Sequence, residues 1–171
     1  MSPERNSQEF KVYVCFNVEK LTETMNSRAD RLCTFLLILL GSAVFASMLN
    51  TLALGVAVAA IAAFQFVCRF GESSGAAKSQ KQRYSSLLGR MAKLDDDALR
   101  EQIERIEEHD NRPSSFIEAI AYNKACLMRG QKDRMKPLPV FAWLMAFLVG
   151  GHPCGERVRK EKPAPKTDPG A

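Results

Sequence analysis

Few side chains in this 171-residue sequence are spaced for chemistry. His152-Pro153-Cys154 brings two metal-ligating groups together, where a structural zinc site takes four. His109 stands alone. Asp95-Asp96-Asp97 and Glu107-Glu108 are acidic runs that can attract a cation, but helix capping and a solvated helix face fit their surroundings better. The five cysteines are odd in number, scattered and never paired as CxxC, the pattern of reduced thiols rather than of a disulfide framework. The sequence contains no Gly-rich phosphate loop, GxSxG or HExxH. These residues predict a protein that is not an enzyme, with no cofactor and no metal site.

The remaining notable side chains concern packing. Asn123 is polar at an otherwise apolar helical position among Ile120, Ala121 and Leu127, as expected of a buried amide that fixes helix packing. Gly55, Ala59 and Ala63 recur every fourth residue, and Ala43 and Ser47 do the same earlier in the chain. Such stripes let helix backbones approach closely where lipid removes the hydrophobic driving force. They are the predicted helix-packing or oligomerisation residues, within one hairpin or between copies. Gln65 is an amide in apolar surroundings, which favours a helix partner or a wet lumen over lipid. Its place near a cytosolic end predicts that it snorkels to the interface.

These residues sit on or around an uncharged stretch from Leu32 to Cys68. All 24 Lys and Arg and all 19 Asp and Glu lie outside it. As one helix this stretch would be about 55 Å long, against a hydrocarbon core of about 30 Å. Splitting it at Asn50-Thr51 gives two spans, about 32–49 and 52–68, each roughly 26 Å. The first carries the block Phe35-Leu36-Leu37-Ile38-Leu39-Leu40 and gains roughly 3 to 6 kcal/mol on insertion from its strongly apolar residues. The second is alanine-rich and inserts with help from the first. Cys33 and Cys68 then lie at similar depth as small apolar fillers. Arg28 and Arg31 precede the first span, Arg69, Lys78, Lys81 and Arg83 follow the second, and the turn is uncharged. The positive-inside rule places both termini in the cytosol. The net charge of +5 reflects this orientation; no basic patch interleaved with aromatics suggests nucleic acid.

The expected fold class is all-α: a two-helix transmembrane hairpin with cytosolic helices and a short interfacial apolar helix. Residues 1–16 form a polar or extended segment in which Val12, Val14 and Phe16 alternate, read as a short extended stretch or as an amphipathic helix lying on the membrane. Residues 17–70 hold a cytosolic helix (Val18, Leu21, Met25, Leu32) and the hairpin. In the cytosolic helical region, 71–136, Gly71 to Gly75 is a flexible joint. Tyr84, Leu87, Leu88, Met91 and Leu94 follow on one helix. Asp95 to Asp97 cap the next, with Leu99, Ile103 and Ile106 on its apolar face and Arg100–Glu104 and Glu101–Arg105 as i, i+4 pairs. Ser115 opens a capping box with Glu118, and that helix ends at Gly130. Val140 to Val149, too short to cross a bilayer, lies in the interface or docks on the hairpin (137–151). Residues 152–171 read as a disordered tail.

This order of parts, with Phe116-Ile117-Glu118-Ala119-Ile120-Ala121-Tyr122-Asn123-Lys124 and Gly130 in the later helices, resembles the prokaryotic SLATT group of two-transmembrane effector domains in conflict systems, over about residues 17 to 150. The resemblance implies an effector that oligomerises in the bacterial inner membrane and perforates it when a partner senses infection. The chain has no recognisable sensor, and its apolar segment after Pro139 is foreign to that pattern. The alternative is a non-enzymatic membrane anchor or assembly factor whose cytosolic helices bind a protein partner. On either reading the partners are the lipid bilayer and further copies of the chain.

Overall fold

The architecture follows from two faces of one very long helix. A computed structural model describes residues 2–45, 51–110 and 113–149. Its helices are α1 (Pro3–Phe45), α2 (Thr51–Cys68), α3 (Phe70–Arg90), α4 (Asp96–Glu107), α5 (Ser115–Met128) and α6 (Val140–Leu148), with single 3-10 turns at Met91–Lys93 and Lys132–Arg134. There is no strand element among the described residues, so the chain is all-α as expected. The expected turn at Asn50, Ser47 and the 152–171 tail lie outside the described residues.

Helix α1 has 43 residues, about 65 Å of rod. It begins at Pro3, not near Asn17, so of the two readings of residues 1–16 the extended one is corrected and the segment is helical. Val12, with Cys15 and Phe16 beside it, packs against α3 and α4. Val14, Val18, Leu21 and Met25 pack against α5 and α6. Two apolar stripes interleaved on one helix mimic the alternation of a strand.

The α3-facing stripe has a seven-residue period. Arg5, Val12, Glu19, Asn26 and Cys33 are all buried and seven apart. Opposite them Ala77, Tyr84 and Met91 are buried at the same spacing, with Gln80 and Leu87 between. On α2 the half-buried positions Leu54, Ile61 and Cys68 are again seven apart, but out of step with those of α3 across the break at Arg69. Two helices joined in this way form an antiparallel coiled coil, in which every seventh residue faces the partner. The hairpin therefore does not stop at the apolar segment. Its legs run on as a stalk.

The break between α2 and α3 is one residue, Arg69, in the left-handed region at φ 48°. The Arg69 amide still donates to the Gln65 carbonyl at 3.1 Å, and the Ser73 amide donates to the Arg69 carbonyl at 3.0 Å. Gly71 and Gly75 are helical, so the expected joint over Gly71 to Gly75 is displaced to Arg69.

Helices α4 to α6 wrap the stalk. Asp95 caps α4 by accepting from the Ala98 amide at 2.7 Å. Arg105 pairs with Glu101 at 2.7 Å as expected, whereas Arg100 reaches Asp97 at 3.5 Å rather than Glu104. The cap of α5 is Ser114, without a side-chain bond, which corrects the Ser115 capping box. Gly130, at φ +69°, closes α5 with Gln131 N–H to Cys126 O at 2.8 Å and Gly130 N–H to Leu127 O at 3.1 Å. This is a Schellman stop, for which glycine has the required freedom. Helix α6 docks through Ala142, Ala146 and Val149 onto the cluster of Val18, Leu21, Ile117, Ile120 and Ala121. Its large residues Val140, Phe141, Leu144 and Phe147 face outward.

The apolar leg is bare. Phe35, Ile38, Leu39, Leu52, Val56, Phe64 and Phe66 are exposed, Phe66 by 83%. One rod, starting at Leu52 and running through α2 into α3, is long and apolar enough to cross a membrane, and none of its apolar window is buried within the chain.

Candidate functional site

The stalk's seam holds a group of polar side chains that would be costly to bury unpaired. Glu19 projects from α1 and is 1% exposed; Gln80 and Tyr84 project from α3 and are likewise buried. Asp110 enters from the connection after α4. Its Oδ2 accepts from the Tyr84 hydroxyl at 2.6 Å, and its Oδ1 accepts from Gln80 Nε2 at 2.9 Å. Gln80 Nε2 also donates to the Ile106 carbonyl at 2.9 Å. These bonds leave two acceptors without a donor: Gln80 Oε1 and Glu19 Oε2.

Charge cannot be stabilised here as it is at the surface. Burial, with a smaller push from the neighbouring carboxylate of Asp110, raises the Glu19 pKa to about 7. Burial also raises Asp110, against the opposing bonds from Tyr84 and Gln80. Cys15, one helical turn before Glu19, is driven up to about 11 by burial, so its thiol stays protonated. Burial and the bond to Asp110 raise Tyr84. Two acids of raised pKa side by side resemble the raw material of general acid–base catalysis. Glu19 and Tyr84 are buried inside the seam and Asp110 is half-buried at its edge.

Four cations along the stalk are paired elsewhere. Lys81 pairs with Glu23, and Lys11 with Glu107 at 2.6 Å. Arg5 clamps the start of α1 onto the end of α3. It donates to Glu9 at 3.0 Å, to the Leu94 carbonyl at 2.8 Å, to Asp96 at 3.2 Å and to the Met91 carbonyl. Arg129 reaches Glu9 at 3.4 Å from the other side.

The residues singled out from sequence are placed as follows. Asn123 forms a reciprocal pair with Lys136, its Nδ2 donating to the Lys136 carbonyl at 2.7 Å and its Oδ1 accepting from the Lys136 amide at 2.8 Å. It fixes the connection into α6. Gln65 does not snorkel: its Nε2 donates to Asp30 at 3.0 Å and Thr34 at 3.3 Å across the hairpin. The nearby carboxylate of Asp30 is a better partner than interfacial water. Gly55, Ala59 and Ala63 are exposed on a face of α2 distinct from the seam of Leu54, Val58, Ile61 and Gln65. A Cβ on Gly55 would meet nothing within 4 Å. The stripe is thus not what packs the hairpin onto itself. Ala43 lies in α1. Among the described residues, Asp95, Asp96 and Asp97 cap, pair with Arg5 and pair with Arg100, and no group of three His, Cys, Asp or Glu is gathered to hold a metal ion.

No family model, curated protein or solved structure matches this chain. What it does is read from its own geometry. Glu19, Gln80 and Asp110 are the site residues that sequence does not single out. The signal was the seven-residue spacing of Arg5, Val12, Glu19, Asn26 and Cys33, hidden because three of these five are polar.

Proposed function

We propose that the chain is a non-enzymatic, two-span membrane protein of the bacterial inner membrane, with both termini in the cytosol. Its hairpins associate side by side and hold the α3–α6 bundle at the membrane surface as an anchor for assembly. The observation that carries this reading is the outward stripe of Gly55, Ala59 and Ala63, exposed beside lipid-sized side chains such as Val56 and Phe66. A stripe that the hairpin does not use for itself is available to a neighbour. The uncharged run from Leu32 along α1 supplies the first span and α2 the second. The outward face of α6 rests in the cytosolic interface.

A second reading, the membrane-perturbing effector implied by the SLATT resemblance, draws on the brevity of the spans, which thin the bilayer around an assembly. The disposition of polar groups weighs against a conducting lining. Gln65 is spent on Asp30, while Thr34 and Ser42 return their hydroxyls to the carbonyls of Asp30 and Ile38 at 2.9 and 2.8 Å.

Cysteine trapping in reconstituted vesicles tests the assembly. Ala59→Cys is expected to cross-link between copies, and Ile61→Cys, inside the seam, is not. Cross-linking at Ile61→Cys with none at Ala59→Cys overturns the proposal. Dye release separates the two readings: intact vesicles support the anchor, and release that is abolished by Gly55→Leu supports the effector.

A further inference from the structure

We propose that Glu19 is a proton-operated latch in the stalk, holding α1 against α3 while its carboxyl is protonated and loosening that seam when it ionises. The inference does not depend on how the hairpins assemble. Glu19 occupies a core position of the coiled coil, one of the few places where a buried charge alters helix pairing rather than decorating a surface. Its Oε2 has no donor, and Gln80, also fully within the seam, has an Oε1 with none. As a carboxylate Glu19 can only accept, which leaves both acceptors unmet. A protonated carboxyl carries a donor into the seam.

The charged and titratable groups around it are engaged elsewhere or exposed; the buried Thr22 hydroxyl, about one helical turn further along α1, has no partner. On α1, Cys15 is a neutral thiol, Glu23 is neutralised by Lys81, and Lys20 lies on the exposed side over the Phe16 ring. From α3, Gln80 and Tyr84 give their donors to Asp110. From the end of α4, Glu107 is held by Lys11, and His109 is exposed. Asp110 itself faces Glu19 as a second acid and raises the cost of ionising it. From α5, Glu118 is exposed, and Lys124, half-buried, is already engaged.

The sign follows from linkage. A carboxyl near 4.5 in the unfolded chain and about 7 in the folded one leaves stability unaffected below both values. Between them the unfolded chain sheds its proton and the folded chain keeps it, so stability falls as pH rises. The loss is complete above about pH 7. Expressed as an opening equilibrium, the change between pH 5 and pH 8 is on the order of a hundredfold.

Amide hydrogen exchange on the full chain in detergent micelles, corrected for intrinsic rates, reads this directly over residues 12–26 and 77–87. The wild type is expected to lose roughly a hundredfold in protection from pH 5 to pH 8, and Glu19→Gln, which mimics the protonated form, to lose only a few-fold. Equal pH slopes in the two proteins overturn the proposal. If Glu19→Gln does not fold, the carboxyl 13C shift of Glu19 in the wild type decides. A midpoint near 7 supports the latch, and one near 4.5 overturns it.

Discussion

At the scale of single residues, what decides a side chain's role here is whether its hydrogen bonds are complete. Asn123 gives and receives one bond with Lys136 in a buried site, and both are lost together in Asn123→Ala. That variant is expected to cost about 2 to 3 kcal/mol, because the Lys136 amide and carbonyl are left without partners. Tyr84→Phe removes one of the two donors to Asp110 among the described residues and is expected to cost about 1 to 2 kcal/mol. Both are measured by chemical unfolding in micelles. Asn123 was legible in the sequence as a polar residue in an apolar stripe. Glu19 was not, since a glutamate beside Lys20 reads as a surface residue until its heptad partners are known.

At the scale of elements, local chemistry was legible wherever a cap or a stop residue states it. Asp95 opens α4 and Gly130 closes α5 as their residue types require. The start of α1 was hidden because its two packing faces overlap in sequence. The joint between α2 and α3 was hidden for the opposite reason. Glycines at 71 and 75 advertise a break that α3 does not take, and Arg69 takes it in a conformation an L-residue adopts at a cost of about 1 to 2 kcal/mol. The small-residue stripe was legible, but its direction was not; that depended on which face of α2 meets α1. At residue 69, asparagine tolerates the left-handed region and a β-branched side chain does not. Arg69→Val is therefore expected to be less stable than Arg69→Asn by about 1 to 2 kcal/mol, read from the difference in unfolding midpoints.

For the molecule as a whole, one pair of rods presents two kinds of surface. Toward Phe45 and Thr51 the hairpin presents bare leucine, phenylalanine, valine and alanine, a surface that in water would drive aggregation. Toward Pro3 and Arg90 the same two rods are sheathed by α4, α5 and α6 and fastened by Arg5, Lys81 and Lys11. The change from one regime to the other falls at Asp30, Gln65 and Arg69, where the polar groups resume. On the proposed reading a bilayer covers the bare half of this construction. Alkaline carbonate washing of membranes from cells making the full chain tests this most directly. The account predicts that the chain stays in the pellet with integral membrane proteins; its release intact into the supernatant would contradict it.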